Sequence, residues 1–262
     1  MEILVCARRV PDTSENEIEI NAAGNDIERD ELVYSMNEPD NYAVEEALQI
    51  RDRVGGNVTV VTVGGEDDEE ILRRELAMGA NRAVLISDDV FSGSDGRGIA
   101  AVLAAFVRQG HYDLILTGVQ AEEGAAQVGG MLAALLDYPF ASLVNSIVVE
   151  DGKLRVSREI ESGNREINEI ELPCVLSIQT GINEPRYVGM RGIRQVASLP
   201  IPTLGASDVG VDQAAVGGKA ARAKRVDYFI PALSKGALIL HRSREENAAQ
   251  VLELVAAKGG LK

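Results

Sequence analysis

The sequence predicts an α/β fold: a doubly wound, mostly parallel sheet, extended by an antiparallel meander and followed by a C-terminal arm plus a helix. Three observations carry that expectation. Residues 1–140 alternate short apolar runs with segments of helical period, the pattern of a parallel sheet covered on both faces. Near residue 142 the pattern changes to alternating runs separated by hairpin turn signals. After Ile193 the periodicity fades and returns only at Ser243.

In order, Ile3–Ala7 is a first buried strand. Asn41–Val54 is a helix, with Ala43, Val44, Ala47, Leu48 and Ile50 as its apolar stripe and Gly55-Gly56 to stop it. Val58–Val63 is a strand that runs directly into Gly64-Gly65. Asp67–Met78 is a helix with an acidic first turn, and Gly79 lies just past its end. Ala83–Ile86 is a strand, Arg97–Gln109 a helix that Asp95 is placed to cap, Leu114–Leu116 a strand and Gln127–Leu136 a helix. Leu143–Val149, Leu154–Glu161 and Arg165–Ile170 are meander strands, divided by Asp151-Gly152 and Ser162-Gly163. Val175–Ile178 is again a buried strand. The stretch holding Pro200, Pro202, Gly205, Gly210, Gly217 and Gly218 shows little period, and Ser243–Lys258 restores a helix. An arm and helix with no core of their own suggest wrapping around another chain, so the expected division is 1–193 and 194–262.

Composition excludes several functions. The 262 residues carry 26 basic and 41 acidic side chains, a net charge of −15, which repels a phosphate backbone. Aromatics make up 4% and Trp is absent, so a base-stacking surface is not expected. Cys6 and Cys174 sit in apolar runs as small core residues, and His111 and His241 have no ligand partner at useful spacing. The N-terminus lacks the pattern of a secretion signal, and no apolar run approaches the ~20 residues that cross a bilayer. A cytoplasmic or organelle-matrix setting is the expectation. No Ser/His/Asp, Cys/His or metal arrangement stands out.

Ligands of such sheets sit beyond the carboxyl ends of the strands. The loops emerging there are Cys6–Arg9, Val63–Gly65 and Gly118–Gly130. In the last, Gly124-Ala125-Ala126 precedes a helix start, so backbone N–H groups can approach an anion while Gln127 reaches ribose or phosphate. The spacing matches neither a Walker nor a GxGxxG fingerprint, and a merely close-packed glycine loop remains open at this level. Elsewhere Pro185 turns the chain out of its strand, after which Met190 stands between Gly189 and Gly192 beside Arg191. A Met so placed serves another protein's pocket better than its own core, where its burial is worth about 1.5–3 kcal/mol. The basic run Lys219, Arg222, Lys224, Arg225 contrasts with the acidic chain and is a candidate for docking on a partner.

The stretch Leu172–Ile193, with Arg158-Glu159-Ile160-Glu161-Ser162-Gly163, resembles the signature of the β subunit of electron transfer flavoproteins. Val5–Asp12, Ser35–Glu38, Glu45–Leu48, Leu76–Ala80 and Gly118–Ala121 fall in family order, so the resemblance spans essentially the whole chain. It implies an adenine nucleotide α-hydrolase-like fold and an electron carrier subunit rather than a self-contained enzyme. It implies a heterodimer with an α subunit, an FAD held mainly by that subunit, and AMP in the β subunit. The residues so implicated are Cys6, Ala7, Asn37, Val63, Gly64, Gly118, Gln120, Gly124, Ala125, Ala126, Gln127 and Val128, with Arg9 toward the phosphate. It also implies that Met190, with Tyr187, Arg191 and Ile193, meets acyl-CoA dehydrogenase-like donors, whose electrons pass to a quinone reductase or similar acceptor.

An electron-bifurcating branch of the family holds a second FAD in place of AMP and oxidises NADH. Gln127-Val128-Gly129, Phe91–Asp95 and Met190–Ile193 resemble that branch. Glu122–Ala125, Asp95–Gly98 and Gly217–Ala220 instead lack hydroxyls that branch favours, which points to AMP. Two other readings are a stand-alone adenine-nucleotide-binding protein of the hydrolase type and a binding module without redox partners. The former needs a Ser-Gly-Gly loop where Arg8–Asp12 stands.

Overall fold

The computed structural model describes residues 1–121, 125–231 and 236–260. Its main sheet joins β1 (Glu2–Cys6), β4 (Asn57–Val63), β5 (Arg82–Ile86), β6 (Leu114–Gly118), β7 (Phe140–Glu150), β8 (Lys153–Glu159), β9 (Arg165–Glu171), β10 (Cys174–Ile178) and β11 (Thr203–Leu204). The strand order is β11-β5-β4-β1-β6-β10-β7-β8-β9, parallel as far as β7 and antiparallel beyond it. A separate antiparallel pair joins β2 (Arg9–Pro11) to β3 (Tyr34–Met36). The α/β fold and the meander therefore stand as expected. Asp151-Gly152 and Ser162-Gly163 occupy its two turns, with Gly152, Ser162 and Gly163 all at positive φ.

The helices are α1 (Glu38–Val54), α2 (Glu69–Met78), α3 (Gly96–Val107), α4 (Val128–Leu136), α5 (Met190–Val196), α6 (Ala206–Val209) and α7 (Arg244–Ala257). Strand alternation divides the core in two. Ile3 and Val5 of β1 face Val44, Leu48 and Leu72 of α1 and α2. Leu4 and Cys6 face the other way, toward Leu103 and Leu132 of α3 and α4. From β1 the chain steps outward through β4 to β5, then crosses back to place β6 on the other side of β1. The carboxyl ends of β1 and β6 thus diverge into loops that leave in opposite directions.

Two expectations need correction. The glycine-flanked segment at Met190 is the first turn of a helix, α5, with Gly189 at its N-cap. It packs on α2, with Gly192 close to Ala77: a Cβ at Gly192 would meet that of Ala77 at 3.8 Å, an ordinary contact. The weakly periodic stretch after Ile193, an arm expected to have no core of its own, packs in part on the main body. β11 pairs with β5, and Val196, Ala206, Val209 and Val216 are buried in the two cores. Each inward contact there is a single residue, too short to make a period. α1 begins earlier than its apolar stripe, with Pro39 in its first turn and Asn37 as N-cap.

Candidate functional site

A cleft of about 780 Å³ opens at the divergence of β1 and β6, within the size range of cofactor sites. Its floor is tied together by α1. The Arg8 N–H and the Gly118 N–H each donate to one oxygen of Asp40, both at 2.9 Å. The Asn37 N–H donates to the Arg8 carbonyl at 2.8 Å, and the Asn37 side chain donates to the Gln120 carbonyl at 2.9 Å. Asn37 and Asp40 are both buried. Burial pushes the Asp40 carboxyl up to about 7, against the opposing hydrogen bonds from Asn37, Gly118 and Arg8.

One wall is the turn into α4. Ala126 adopts φ 54°, rare for a residue with a side chain, and Gln127 is the N-cap. This turn sets the N-terminus of α4, whose first N–H groups have no intrahelical acceptor, at the edge of the cleft. Gly129 lets the turn sit on the sheet, since a Cβ would fall 2.3 Å from the Ser177 Oγ.

The opposite wall is the start of α3 with the arm laid over it. Asp95 caps α3 through the Gly98 N–H at 3.0 Å, as expected. It also accepts the N–H groups of Arg222 and Ala223 at 2.7 and 3.0 Å. Burial raises its carboxyl, but these backbone hydrogen bonds outweigh that and hold it below the usual range. Ser94 Oγ accepts the Gly217 N–H at 2.7 Å. The arm continues to Arg225, whose guanidinium lies 3.2 Å from Asp26, and Lys224 and Arg225 line the cleft with Arg8.

Of the residues implicated from sequence, Cys6, Ala7, Asn37, Val63, Gly118, Gln120, Ala125, Ala126, Gln127 and Val128 come together around this one cleft. Gly124 lies outside the described residues. Gly64 and Arg9 do not line the cleft: Gly64 donates to the Ile86 carbonyl, and Arg9 stacks over Tyr34 at 4.1 Å. Sequence reasoning missed Asp40, which reads as an ordinary acid in a helix's first turn. It read Lys224 and Arg225 only as a partner-docking run. The Cys6 thiol is buried and pushed far above its usual range, first by burial and then by the carboxylates of Asp40 and Glu75, so it is no nucleophile. Among the described residues, no group of three or more His, Cys, Asp or Glu could hold a metal ion.

A second surface stands apart from the cleft. Tyr187 is 93% and Met190 70% exposed, Arg191 is exposed and Ile193 half-buried. The segment leading to them is anchored on α1. Arg186 donates to the buried Glu45 from its backbone N–H, Nε and an Nη at 3.1, 2.7 and 3.0 Å. Asn183 donates to the Tyr42 carbonyl and to Glu46, both at 3.1 Å. The arm and α7 form a third surface. Val226, Phe229, Ile230, Leu238 and Ile239 are exposed, and α7 buries none of its residues. No helix among the described residues is long and apolar enough to cross a membrane.

A family model described as the electron transfer flavoprotein domain matches residues 25–209. The chain is 34% identical to the electron transfer flavoprotein subunit beta of Methylophilus methylotrophus, over 97% of its own length and 98% of the relative's. It is 38% identical to CarD, a subunit of a caffeyl-CoA reductase–Etf complex of Acetobacterium woodii, over 90% of each chain. It is 34% identical to the protein FixA of Azotobacter vinelandii, over 81% and 77%.

Proposed function

Since the chain belongs to the electron transfer flavoprotein β-subunit family, we propose that it completes a heterodimeric electron carrier with an α subunit, holding AMP in the cleft between β1 and β6. The observation that carries this reading is the cleft itself. The start of α4 and the cationic residues Arg8, Lys224 and Arg225 line it in a chain of net charge −15. These groups fit the phosphate of a nucleotide, and the small residues Ala125, Ala126, Gly96 and Gly218 let it approach the backbone.

The flavin shared with the α subunit supplies the one- and two-electron chemistry when bound; this chain's residues bind, orient and exclude water. The arm from Val226 onward, with its exposed Phe229 and Ile230, wraps the α subunit. Each apolar side chain buried there contributes about 1.5–3 kcal/mol. Tyr187, Met190, Arg191 and Ile193 form the landing surface for acyl-CoA dehydrogenase-like donors, with Met190 entering an apolar pocket. A quinone reductase or similar acceptor receives the electrons.

The second reading, an electron-bifurcating protein with another FAD in the cleft, is favoured by its two adjacent cations, Lys224 and Arg225, which suit a pyrophosphate. Against it, the arm presents Gly218, Ala221 and Ala223 to the cleft, which offer no hydroxyl. Acid extraction of the purified α–β complex, with FAD and AMP counted by chromatography, separates the two. One FAD and one AMP per heterodimer are expected. Two FAD and no AMP establish the second reading, and no adenosine compound beyond the α subunit's own FAD refutes both.

A further inference from the structure

Where parallel strands diverge at a switch point, the backbone groups just past the last sheet hydrogen bonds lose their partners. At this cleft they are supplied by one turn of α1. Arg8, immediately after β1, has its N–H held by Asp40 and its carbonyl by the Asn37 N–H. Gly118, the last residue of β6, has its N–H held by Asp40, and Gln120 its carbonyl by the Asn37 side chain. Four hydrogen bonds from two buried side chains and one backbone N–H thus fix two loops that are 110 residues apart in sequence. The fit leaves no slack: a Cβ at Gly118 would stand 2.2 Å from Asp40 Oδ1 and 2.8 Å from the Asp40 nitrogen.

We infer that Asp40 is a positioning residue for the nucleotide, setting the separation of the loops that leave β1 and β6, and that it does so as a carboxylate. The inference rests on the nucleotide reading of the cleft. An ionised carboxylate accepts both N–H groups strongly; on protonation its hydroxyl oxygen becomes a weaker acceptor, which loosens the hold on one loop. The groups that face Asp40 are the Cys6 thiol of β1, Glu75 of α2, which is fully buried and also raised by burial, and the Arg8 cation, whose charge favours the carboxylate. Burial leaves Asp40 titrating near 7, so the clamp loosens as pH falls through neutrality.

The test is equilibrium exchange of radiolabelled AMP on the full α–β complex between pH 6 and 8.5, with adenosine as competitor. Adenosine has no titrating phosphate, so its profile reports the protein alone. In the wild type, adenosine affinity is expected to fall below pH 7, by up to about tenfold per unit. Asp40→Asn is expected to bind both probes about tenfold more weakly at pH 8 and to show a flat adenosine profile. Asp40→Glu, a carboxylate one methylene longer, is expected to bind weakly yet keep a pH-dependent profile, and it serves if the first variant fails to fold. Wild-type affinity and profile in Asp40→Asn, or wild-type affinity in Asp40→Glu, overturn this inference alone. A wild type that takes up neither probe at any pH overturns it together with the nucleotide reading.

Discussion

Replacing Arg186 by Ala tests how the exposed surface at Tyr187 and Met190 is held. Glu45 is buried, with 5% of its side chain exposed, whereas Arg186 is 36% exposed. Removing the Arg186 side chain takes away two hydrogen bonds to the carboxylate, its 3.7 Å approach to Asp52 and its donation to the Met78 carbonyl. The backbone N–H of residue 186 remains, as does Gln49 at 3.1 Å, so Glu45 is left partly served. Breaking a fully buried pair from one side costs roughly 3–5 kcal/mol. Solvent screening at Arg186 reduces this to about 2–3 kcal/mol.

The sign with pH follows from Glu45. Burial raises its carboxyl, but the Arg186 and Gln49 hydrogen bonds outweigh that and hold it below its usual value. Its contribution is therefore present above the unfolded value of about 4.3 and lost as pH falls through the folded one. Equilibrium urea unfolding at pH 7 is the assay, repeated at lower pH and with Glu45→Gln and the double variant. The gap between Arg186→Ala and wild type is expected to be about 2–3 kcal/mol at pH 7 and to narrow below pH 4.5, with a coupling of about 1–2 kcal/mol between the sites. A gap under about 0.5 kcal/mol at pH 7, or additive single effects, refutes the reasoning.

Met190→Asp, at an exposed first helical position, leaves urea stability within about 0.5 kcal/mol of wild type, while electron transfer from an acyl-CoA dehydrogenase donor drops at least tenfold; unchanged transfer removes the anchor role. Gly129→Ala forces a methyl to within 2.3 Å of Ser177 Oγ and is expected to cost about 1–3 kcal/mol of unfolding free energy by denaturant titration. Asp95→Ala removes the cap of α3 and both N–H anchors of the arm, so trypsin should cut at Arg222, Lys224 or Arg225 faster than in wild type, with a stability loss of about 1 kcal/mol. An unchanged digestion rate argues that the arm is held by other contacts.

Much of the frame was legible because burial imposes a period. Val58–Val63 and Val175–Ile178 had to be buried strands, and Gly79 had to stop α2, whatever lay around them. Short and aperiodic pieces were not legible. The three-residue strands β2 and β3 fall below any detectable alternation. α5 is a single seven-residue helix flanked and interrupted by glycines, too short to show a period. The segment to Val216 touches the core one residue at a time.

The cleft divides the same way. Sequence alone determined that small-residue loops would stand at the strand ends, since only such loops let a backbone approach a ligand. Only the folded chain decided which of two neighbouring cations lines the cleft, because Arg8 borders it while Arg9 stacks over Tyr34. It alone placed Asp40 between two loops far apart in sequence, and Lys224 and Arg225 above them. Those relations arise from the crossover that sets β6 beside β1, a long-range pairing that no local pattern records.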